Sequence, residues 1–490
     1  MLVYNQKIKN CKMKTIKLLL LIFIVCGIEG LKAQDRNAIW LGGYGEPSTI
    51  WEIYDEMYGI DREMNGARVT TNVNYNDGDG ISFATTNAKD LIIQKFTDPT
   101  LEINGVNNQV IPNFDPTRNM GIGHSLGGVV FRELDRRETD LANNNPQFER
   151  TISGYITVGS PNYGAGMADA AVNGNLQNVL TDGCERLAAG PISEIPVLGF
   201  VINGYTRNTL CDFLYDECLV NKLPNGQTLS DLRLAGDFMS HESIGPTNIP
   251  QGLNHFNSSL PRISIWGNEN SPVHWRFASS FATDSADDLL IVNTTNQFRA
   301  GYNTFFIGNT SMSVTMATLG FFNPIAFVGV PILAHRAVQW KKGQDWFDNS
   351  ESIWNALIVC QGSYTLNYHV YDNPVQNFCS GAQYGQQFFN CAAGVCSSVV
   401  LYEWASLANC ISTTTYSETV NVNHPSDGFV CSYSQILNDI PQNNIYMAEG
   451  VNHQDQTDTR TGQNPSGTDV MRTIFDQIWN RGGNDFFHTD

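Results

Sequence analysis

One serine lies between glycines where a strand-like segment meets a helix-like one, in the stretch NMGIGHSLGGVVFREL (119–134). The spacing Gly123-x-Ser125-x-Gly127 fits a chain that turns sharply from a β-strand into a helix. Such a turn strains the serine backbone and leaves no room for side chains two residues before or after it. The helix that follows points its amide end at the serine and favours negative charge there. The pattern predicts an exposed nucleophile; the alternative is a plain glycine-rich turn.

Strand-like and helix-like runs alternate on both sides of this turn, which predicts a mostly parallel sheet with helices on both faces. The runs are a strand, glycine loop and helix over 36–59, a strand and turn over 67–80, a helix over 87–96, a strand and loop over 151–164, and strands over 260–270, 428–437 and 443–450, then a last helix over 468–480. The alternation is interrupted at about 165–260 and 275–415. Because no linker or repeat is present, we expect one domain over 34–490 with two insertions.

The amino-terminal segment MKTIKLLLLIFIVCGIEGLKA (13–33) combines lysines, a short apolar run and small residues. These features predict a secretory signal peptide over 1–33, cleaved before Gln34, and a secreted or periplasmic protein. The apolar run is too short to cross a bilayer. Two alternatives stay open: translation from Met13, and a lipid-anchored Cys26, although Val25 stands where that motif needs a small residue.

The chain carries a formal net charge of −19 at pH 7, and loss of the lysine-rich leader makes it more negative. An acidic surface repels phosphates, so we expect no nucleic-acid partner. Nine of the eleven cysteines remain after cleavage. Export favours disulfides, and the odd number leaves at least one thiol unpaired or bonded outside the chain. Zinc at Cys391 and Cys396 is the alternative, but no second pair or nearby histidine supports it.

A very apolar segment, FFNPIAFVGVPILAH (321–335), lies inside the second insertion. Its two prolines and its short length argue against a membrane span. It is either the core of the insertion or a lid that faces lipid.

A serine nucleophile needs a base and an orienting carboxylate. His124 is inside the turn with its side chain directed elsewhere, and six further histidines lie in or beside insertions or in the tail: His241, His255, His274, His335, His369 and His488. His453 follows a strand in YMAEGVNHQD and is the predicted base, with an ordinary exposed histidine as the alternative. Asp427, in HPSDGFVCSYSQ, is the predicted acid, with an Asp-Gly turn as the alternative. His424 is then its neighbour.

Two backbone amides are needed to hold an oxyanion. Leu126 follows the serine directly and provides one. The other is expected from the glycine loop 42–45, where Tyr44 is the candidate donor. The alternative for that loop is a simple turn that ends a strand.

Four stretches together resemble the α/β-hydrolase superfamily, in particular secreted bacterial lipases: GHSLGG, VGSPNYGA (158–165), SDGFVCSYSQ and GVNHQD. The resemblance covers about 36–165, 228–270 and 420–480. It implies an α/β-hydrolase fold with cysteine-containing lid or cap insertions, and a triad of Ser125, Asp427 and His453.

The chain also departs from that family's pattern. The usual His-Gly after the first strand is Gly42-Gly43 here, and the insertion before Asp427 is longer than usual. In some of these lipases the aspartate two residues after the histidine binds calcium, which makes Asp455 a candidate ligand. Asp455 and Asp458 are also alternative partners of His453.

These features predict an exported serine hydrolase of carboxylic esters, a lipase or esterase that works through an acyl-enzyme and takes an ester or lipid substrate. Calcium is the only cofactor candidate, and no membrane span is expected. Two other classes remain: a phospholipid or GPI-type deacylase, polyester depolymerase or acyltransferase with the same triad, and a non-catalytic surface binding protein on a hydrolase core.

Overall fold

A computed structural model describes residues 34–35, 37–46, 48–55, 70–97, 119–176, 178–179, 226–240, 242–243, 252–269, 300, 311, 337, 341, 344–345, 349, 352–374, 411–457, 470–479 and 488–489. The expected signal peptide, the apolar segment 321–335 and the cysteines at 391 and 396 lie outside these residues.

In the described part of the chain, six parallel strands form the central sheet, in the spatial order β10-β7-β5-β4-β2-β3. In chain order the strands are β1 (Gln34–Asp35), β2 (Asn37–Leu41), β3 (Thr70–Val73), β4 (Asn119–His124), β5 (Gly154–Val158), β6 (Glu242–Ser243), β7 (Arg262–Asn268), β8 (Gln361–Pro374), β9 (Ile411–Asn423), β10 (Ile445–Glu449) and β11 (His488–Thr489). Because the six central strands run in the same direction, their carboxyl ends meet at one edge of the sheet.

The apolar run of β2 shows why these segments form central strands. All five of its residues are buried. Ile39 and Leu41 pack into one hydrophobic core, whereas Ala38 and Trp40 pack into a second core on the other face. Successive side chains of a strand alternate between faces, so a strand covered on both sides is continuously apolar.

Helices cover both faces of the sheet. The helices with described bounds are α1 (Glu52–Asp55), α2 (Ile81–Thr97), α3 (Leu126–Asn144), α4 (Gly166–Val172), α5 (Gly226–Asp231), α6 (Asp237–Ser240), α7 (Ser432–Gln435) and α8 (Val470–Trp479). Helices α2 and α3 pack on the core that contains Ile39, and α8 packs on the core that contains Trp40. The expected α/β class, with a parallel sheet and helices on both faces, is confirmed.

Two small sheets lie outside the central one. Strands β8 and β9 form a long antiparallel ribbon, and β6 pairs with β8. Strands β1 and β11 pair near the two ends of the chain. The described parts of the interrupted regions therefore add short helices and this ribbon rather than strands of the central sheet. Among the described residues, none of the helices combines the length and hydropathy of a bilayer span.

Two sequence-based assignments differ from the structure. Helix α2 begins at Ile81, six residues before the predicted start, because its first amides are capped from a distant helix: Gly80 N–H donates to Thr228 Oγ1 and Ile81 N–H donates to Asp231 Oδ2, each at 2.9 Å. The predicted strand over 428–437 is wrong. That segment forms a turn and then α7, because amides that a ladder would use are bound by the Asp427 side chain.

Candidate active site

Ser125 lies on the turn between β4 and α3. Its backbone angles are φ 50° and ψ −121°, in a region that residues other than glycine rarely adopt. Its N–H donates to the Val158 carbonyl at 2.9 Å, which holds the turn against β5. A Cβ on Gly123 would lie 2.4 Å from the Gly127 carbonyl carbon, and a Cβ on Gly127 would lie 2.6 Å from the Gly42 oxygen. Backbone atoms cannot move aside, so both positions require glycine.

His453 stands between Ser125 and Asp427. Its Nε2 lies 3.0 Å from Ser125 Oγ, and its Nδ1 lies 2.7 Å from Asp427 Oδ2. A carboxylate only accepts hydrogen bonds, so a neutral His453 carries its proton on Nδ1 and leaves Nε2 to accept from the serine hydroxyl. Asp427 is fully buried and His453 is 6% exposed. The geometry allows a proton to pass from Ser125 to His453.

The Asp427 carboxylate accepts four hydrogen bonds. Oδ1 accepts the amides of Phe429 at 3.0 Å and Val430 at 2.7 Å. Oδ2 accepts from His453 and, at 3.0 Å, from Gln456 Nε2. A buried charge is tolerated only when it is hydrogen-bonded in this way, and the four donors fix the plane of the carboxylate that His453 faces.

Gln456 carries no sequence signal for this role except its place three residues after His453. It is fully buried, and its side chain fits against two glycines of neighbouring strands. A Cβ on Gly267 would lie 2.5 Å from its Nε2, and one on Gly159 would lie 2.8 Å from its Oε1. That Oε1 is buried, and none of the described residues forms a hydrogen bond with it.

The loop that carries His453 is braced from both sides by Asn452 and Asp455. Asn452 Oδ1 accepts the amides of Gln454 and Asp455, each at 3.0 Å, and its Nδ2 donates to Asp455 Oδ2 at 2.7 Å. The calcium candidate Asp455 is therefore 7% exposed and bonded within its own loop. In the described part of the chain, His, Cys, Asp and Glu side chains form no group of three or more that could hold a metal ion. Asp458 lies outside that part.

The glycine loop after β2 lies directly against the nucleophile. A Cβ on Gly43 would be 2.8 Å from Ser125 Cβ. The Gly43 N–H donates to Glu46 Oε2 and is thus already engaged. The next residue, Tyr44, packs its half-buried side chain on the core under α2 and α3. Leu126 N–H opens α3, and among the described residues no acceptor is bonded to it.

Residues of the β3–α2 loop hold the glycine loop in place. Tyr75 donates its hydroxyl to the Gly42 carbonyl at 3.0 Å, and Gly45 N–H donates to Asp77 Oδ2 at 2.5 Å. The loop that contains Tyr44 is thus anchored at both of its ends.

Fully buried His124 pairs with Glu46, whose side chain is 12% exposed. His124 Nδ1 lies 2.8 Å from Glu46 Oε2, and His124 Nε2 lies 2.8 Å from the His453 carbonyl oxygen. Burial opposes charge on both groups, yet the mutual attraction and the hydrogen bonds outweigh it. The pKa of His124 is raised above its ordinary 6.5, and the pKa of Glu46 is lowered below its ordinary 4.5.

A disulfide between Cys360 and Cys431 lies next to the acid loop. It joins the residue before β8 to the residue before α7, four residues after Asp427. The expected disulfide bonding is confirmed for this pair. His424, whose N–H donates to the Cys360 carbonyl at 2.8 Å, is exposed beside Tyr433 and does not contact Ser125.

No protein-family model matches the chain, and no curated protein matches it. Among solved structures, an extracellular α/β-hydrolase from a Paenibacillus species is similar over 30% of this chain and 51% of its own, with 14% identity and a TM-score of 0.19. Phospholipase PlaB from Legionella pneumophila is similar over 47% of this chain and 39% of its own, with 13% identity and a TM-score of 0.25. The chain thus spans about half, or less, of each.

Proposed function

We propose that this protein is an exported serine hydrolase that cleaves carboxylic esters in the manner of a lipase or esterase. The observation that carries the proposal is the pair of hydrogen bonds through His453, 3.0 Å to Ser125 Oγ and 2.7 Å to Asp427 Oδ2. A nucleophile, a base and an orienter within hydrogen-bond reach of one another are what acyl transfer requires.

In the proposed reaction, Ser125 Oγ attacks the acyl carbon of the ester while His453 Nε2 takes its proton. Asp427 keeps the His453 proton on Nδ1 and stabilises the imidazolium that forms. The imidazolium then protonates the departing alcohol, and the acyl group stays on Ser125. Water, activated by the same histidine, releases the carboxylic acid and restores the enzyme.

The negative oxygen of the tetrahedral intermediate is held by backbone amides. Leu126 N–H is the first donor, because it follows the nucleophile at the positive end of α3. The Tyr44 amide is the second, because its loop lies against Ser125. Each such donor contributes about 10²–10³ in kcat. Export rests on the leader-like segment 13–33, and the ester substrate rests on the chemistry of the triad.

Reaction with a fluorophosphonate probe and burst release of p-nitrophenol from p-nitrophenyl butyrate test the proposal. We expect wild-type protein to be labelled at one site and to turn over the ester. Ser125→Ala should abolish both, because it removes the proposed nucleophile. His424→Ala is the matched control, because this exposed histidine lies three residues before Asp427 and should leave both signals unchanged.

A folded wild-type protein that neither reacts with the probe nor cleaves the ester would refute the hydrolase proposal and favour a binding protein on a hydrolase core. A panel of acyl chain lengths, as solutions and as emulsions, then separates esterase from lipase specificity.

A further inference from the structure

A second histidine lies within the site and has no part in the proposed proton transfer. The ring of His124 is 4.8 Å from the ring of His453, centroid to centroid. Its two nitrogens face two oxygen atoms: Nδ1 faces Glu46 Oε2 and Nε2 faces the main-chain oxygen of His453, each at 2.8 Å. His124 is fully buried, so water cannot replace either partner.

This geometry limits the protonation states that the ring can adopt. A carbonyl oxygen cannot donate, so Nε2 must carry a proton. Glu46 Oε2 also accepts the Gly43 N–H, and when Glu46 is a carboxylate Nδ1 carries a proton too. A neutral pair, in which a protonated Glu46 donates to Nδ1, would make the same hydrogen bonds, but the raised pKa of His124 and the lowered pKa of Glu46 favour the imidazolium and the carboxylate. The opposite charges stabilise each other where neither could be buried alone.

The pair connects three separate elements of the site. His124 is the last residue of β4 and precedes the nucleophile, its Nε2 holds the loop of the base, and Glu46 holds Gly43 in the loop that touches Ser125. We infer that Glu46 and His124 are positioning residues of the reaction: as an ion pair they hold the base loop and the oxyanion loop in register with Ser125. The inference rests on the proposed function.

The charged groups around this pair favour an imidazolium at His124 and a carboxylate at Glu46. Around His124 are the charges of Glu46 and Asp427, both of which favour the imidazolium, and the edge of the Trp51 ring, whose centroid is 6.4 Å away. Glu46 is influenced by His124 and His453. Among the described residues, His124 is the basic side chain that pairs with the Glu46 carboxylate, so it is the counter-charge.

Glu46→Gln tests the role with little change in volume. The carboxamide cannot keep His124 charged, and a neutral ring has only one proton. Three hydrogen bonds meet here: from Gly43 N–H to residue 46, between residue 46 and His124, and from His124 to the His453 carbonyl. Whichever way the amide is turned, one of the three is lost. Since displacement of reacting groups by about 1 Å costs about a hundredfold, we expect kcat for p-nitrophenyl butyrate to fall about tenfold to a hundredfold. KM should change less than about threefold, because the substitution alters the positions of the reacting groups and not the binding of substrate.

Asp439→Asn is the matched control. It removes the charge of an exposed aspartate that pairs with a buried arginine: Asp439 binds Arg262 Nη1 through both oxygens at 2.8 and 2.9 Å, at the opposite end of β7. We expect a lower melting temperature with kcat within about twofold of wild type. If Asp439→Asn lowers kcat as much as Glu46→Gln does, or if Glu46→Gln leaves kcat unchanged, the positioning role is refuted.

Nuclear magnetic resonance of histidine-labelled wild-type protein tests the ion pair without any turnover. The ¹⁵N–¹H correlations of His124, assigned by their loss in His124→Gln, should show both ring nitrogens protonated at pH 7. One bare nitrogen would overturn the inference. Should wild-type protein turn over no ester, the proposed function fails, whereas the spectrum still decides whether the pair exists.

Discussion

Replacement of Asp427 by asparagine separates the chemistry of this carboxylate from its structural work. The asparagine Oδ1 can still accept the amides of Phe429 and Val430. Its Nδ2 then faces His453 Nδ1 and Gln456, where the wild-type oxygen accepts two hydrogen bonds. His453 must turn its unprotonated nitrogen toward the asparagine, so Nε2 carries the proton and can no longer accept from Ser125.

The wrong tautomer should lower kcat by about 10⁴, or about 5 kcal/mol in the barrier. Stability should fall by only about 1 kcal/mol, because Gln456 can rotate its amide and offer its Oε1, which forms no hydrogen bond with the described residues of the wild type, to the new N–H. Asp427→Ala instead removes the acceptor of the Phe429 amide and of the buried Val430 amide, at about 1–3 kcal/mol for a buried donor left unsatisfied.

The measurements are kcat with p-nitrophenyl butyrate and the free energy of unfolding in urea for both variants. Retention of more than a tenth of kcat in Asp427→Asn would show that another group orients His453. Equal destabilisation by asparagine and alanine would refute the argument that Gln456 can compensate.

Three further predictions follow from other contacts. Reduction of the Cys360–Cys431 disulfide, which spans 71 residues, should lower stability by about 4 kcal/mol; thermal unfolding with and without a phosphine reductant measures this, and equal melting temperatures would contradict it. Gly43→Ala, whose Cβ would lie 2.8 Å from Ser125 Cβ, should lower kcat about a hundredfold, whereas Gly78→Ala, with its nearest atom at 3.7 Å, should not. The raised pKa of His124 gives stability that is complete below pH 6.5 and lost as the pH rises through that raised value; the lowered pKa of Glu46 gives stability that is complete above pH 4.5 and lost as the pH falls through that lowered value. The excess in melting temperature of wild type over Glu46→Gln should therefore be largest between pH 4.5 and 6.5, and an excess that does not vary with pH would contradict the ion pair.

The fold could be predicted from local sequence patterns where the tertiary surroundings require the same residues that the pattern shows. The run NAIWL is largely apolar because β2 is covered on both faces. The glycines around Ser125 are required because a Cβ at either position would lie only 2.4–2.6 Å from backbone atoms. Prediction failed where the backbone conformation depends on a side chain that the local pattern does not show. Helix α2 begins at Ile81 because Asp231 caps it from 150 residues away, and 428–437 lacks a ladder because one side chain binds its amides.

The candidate site shows the same division. Ser125 and His453 each follow a strand-like segment and Asp427 lies in an Asp-Gly turn, so the sequence predicted them as a set. Glu46 and Gln456 have no motif, since a carboxylate or an amide acquires its role only when the chain brings it to a particular donor. Their partners, His124 and Asp427, are separated from them by 78 and 29 residues.

His124 and His453 differ in role because their rings have different hydrogen-bond partners. They have the same side chain, and their rings are 4.8 Å apart, so neither residue type nor location tells the base from its neighbour. Hydrogen-bond partners do. His124 faces a carboxylate and a carbonyl, and as the imidazolium that its raised pKa favours it holds both of its protons and has no nitrogen with which to take another. His453 faces the acceptor Asp427 on one side and the donor hydroxyl of Ser125 on the other, so it keeps one proton and has a nitrogen for the second. The hydrogen-bond partners, and not the residue type, therefore determine which of the two histidines is the base.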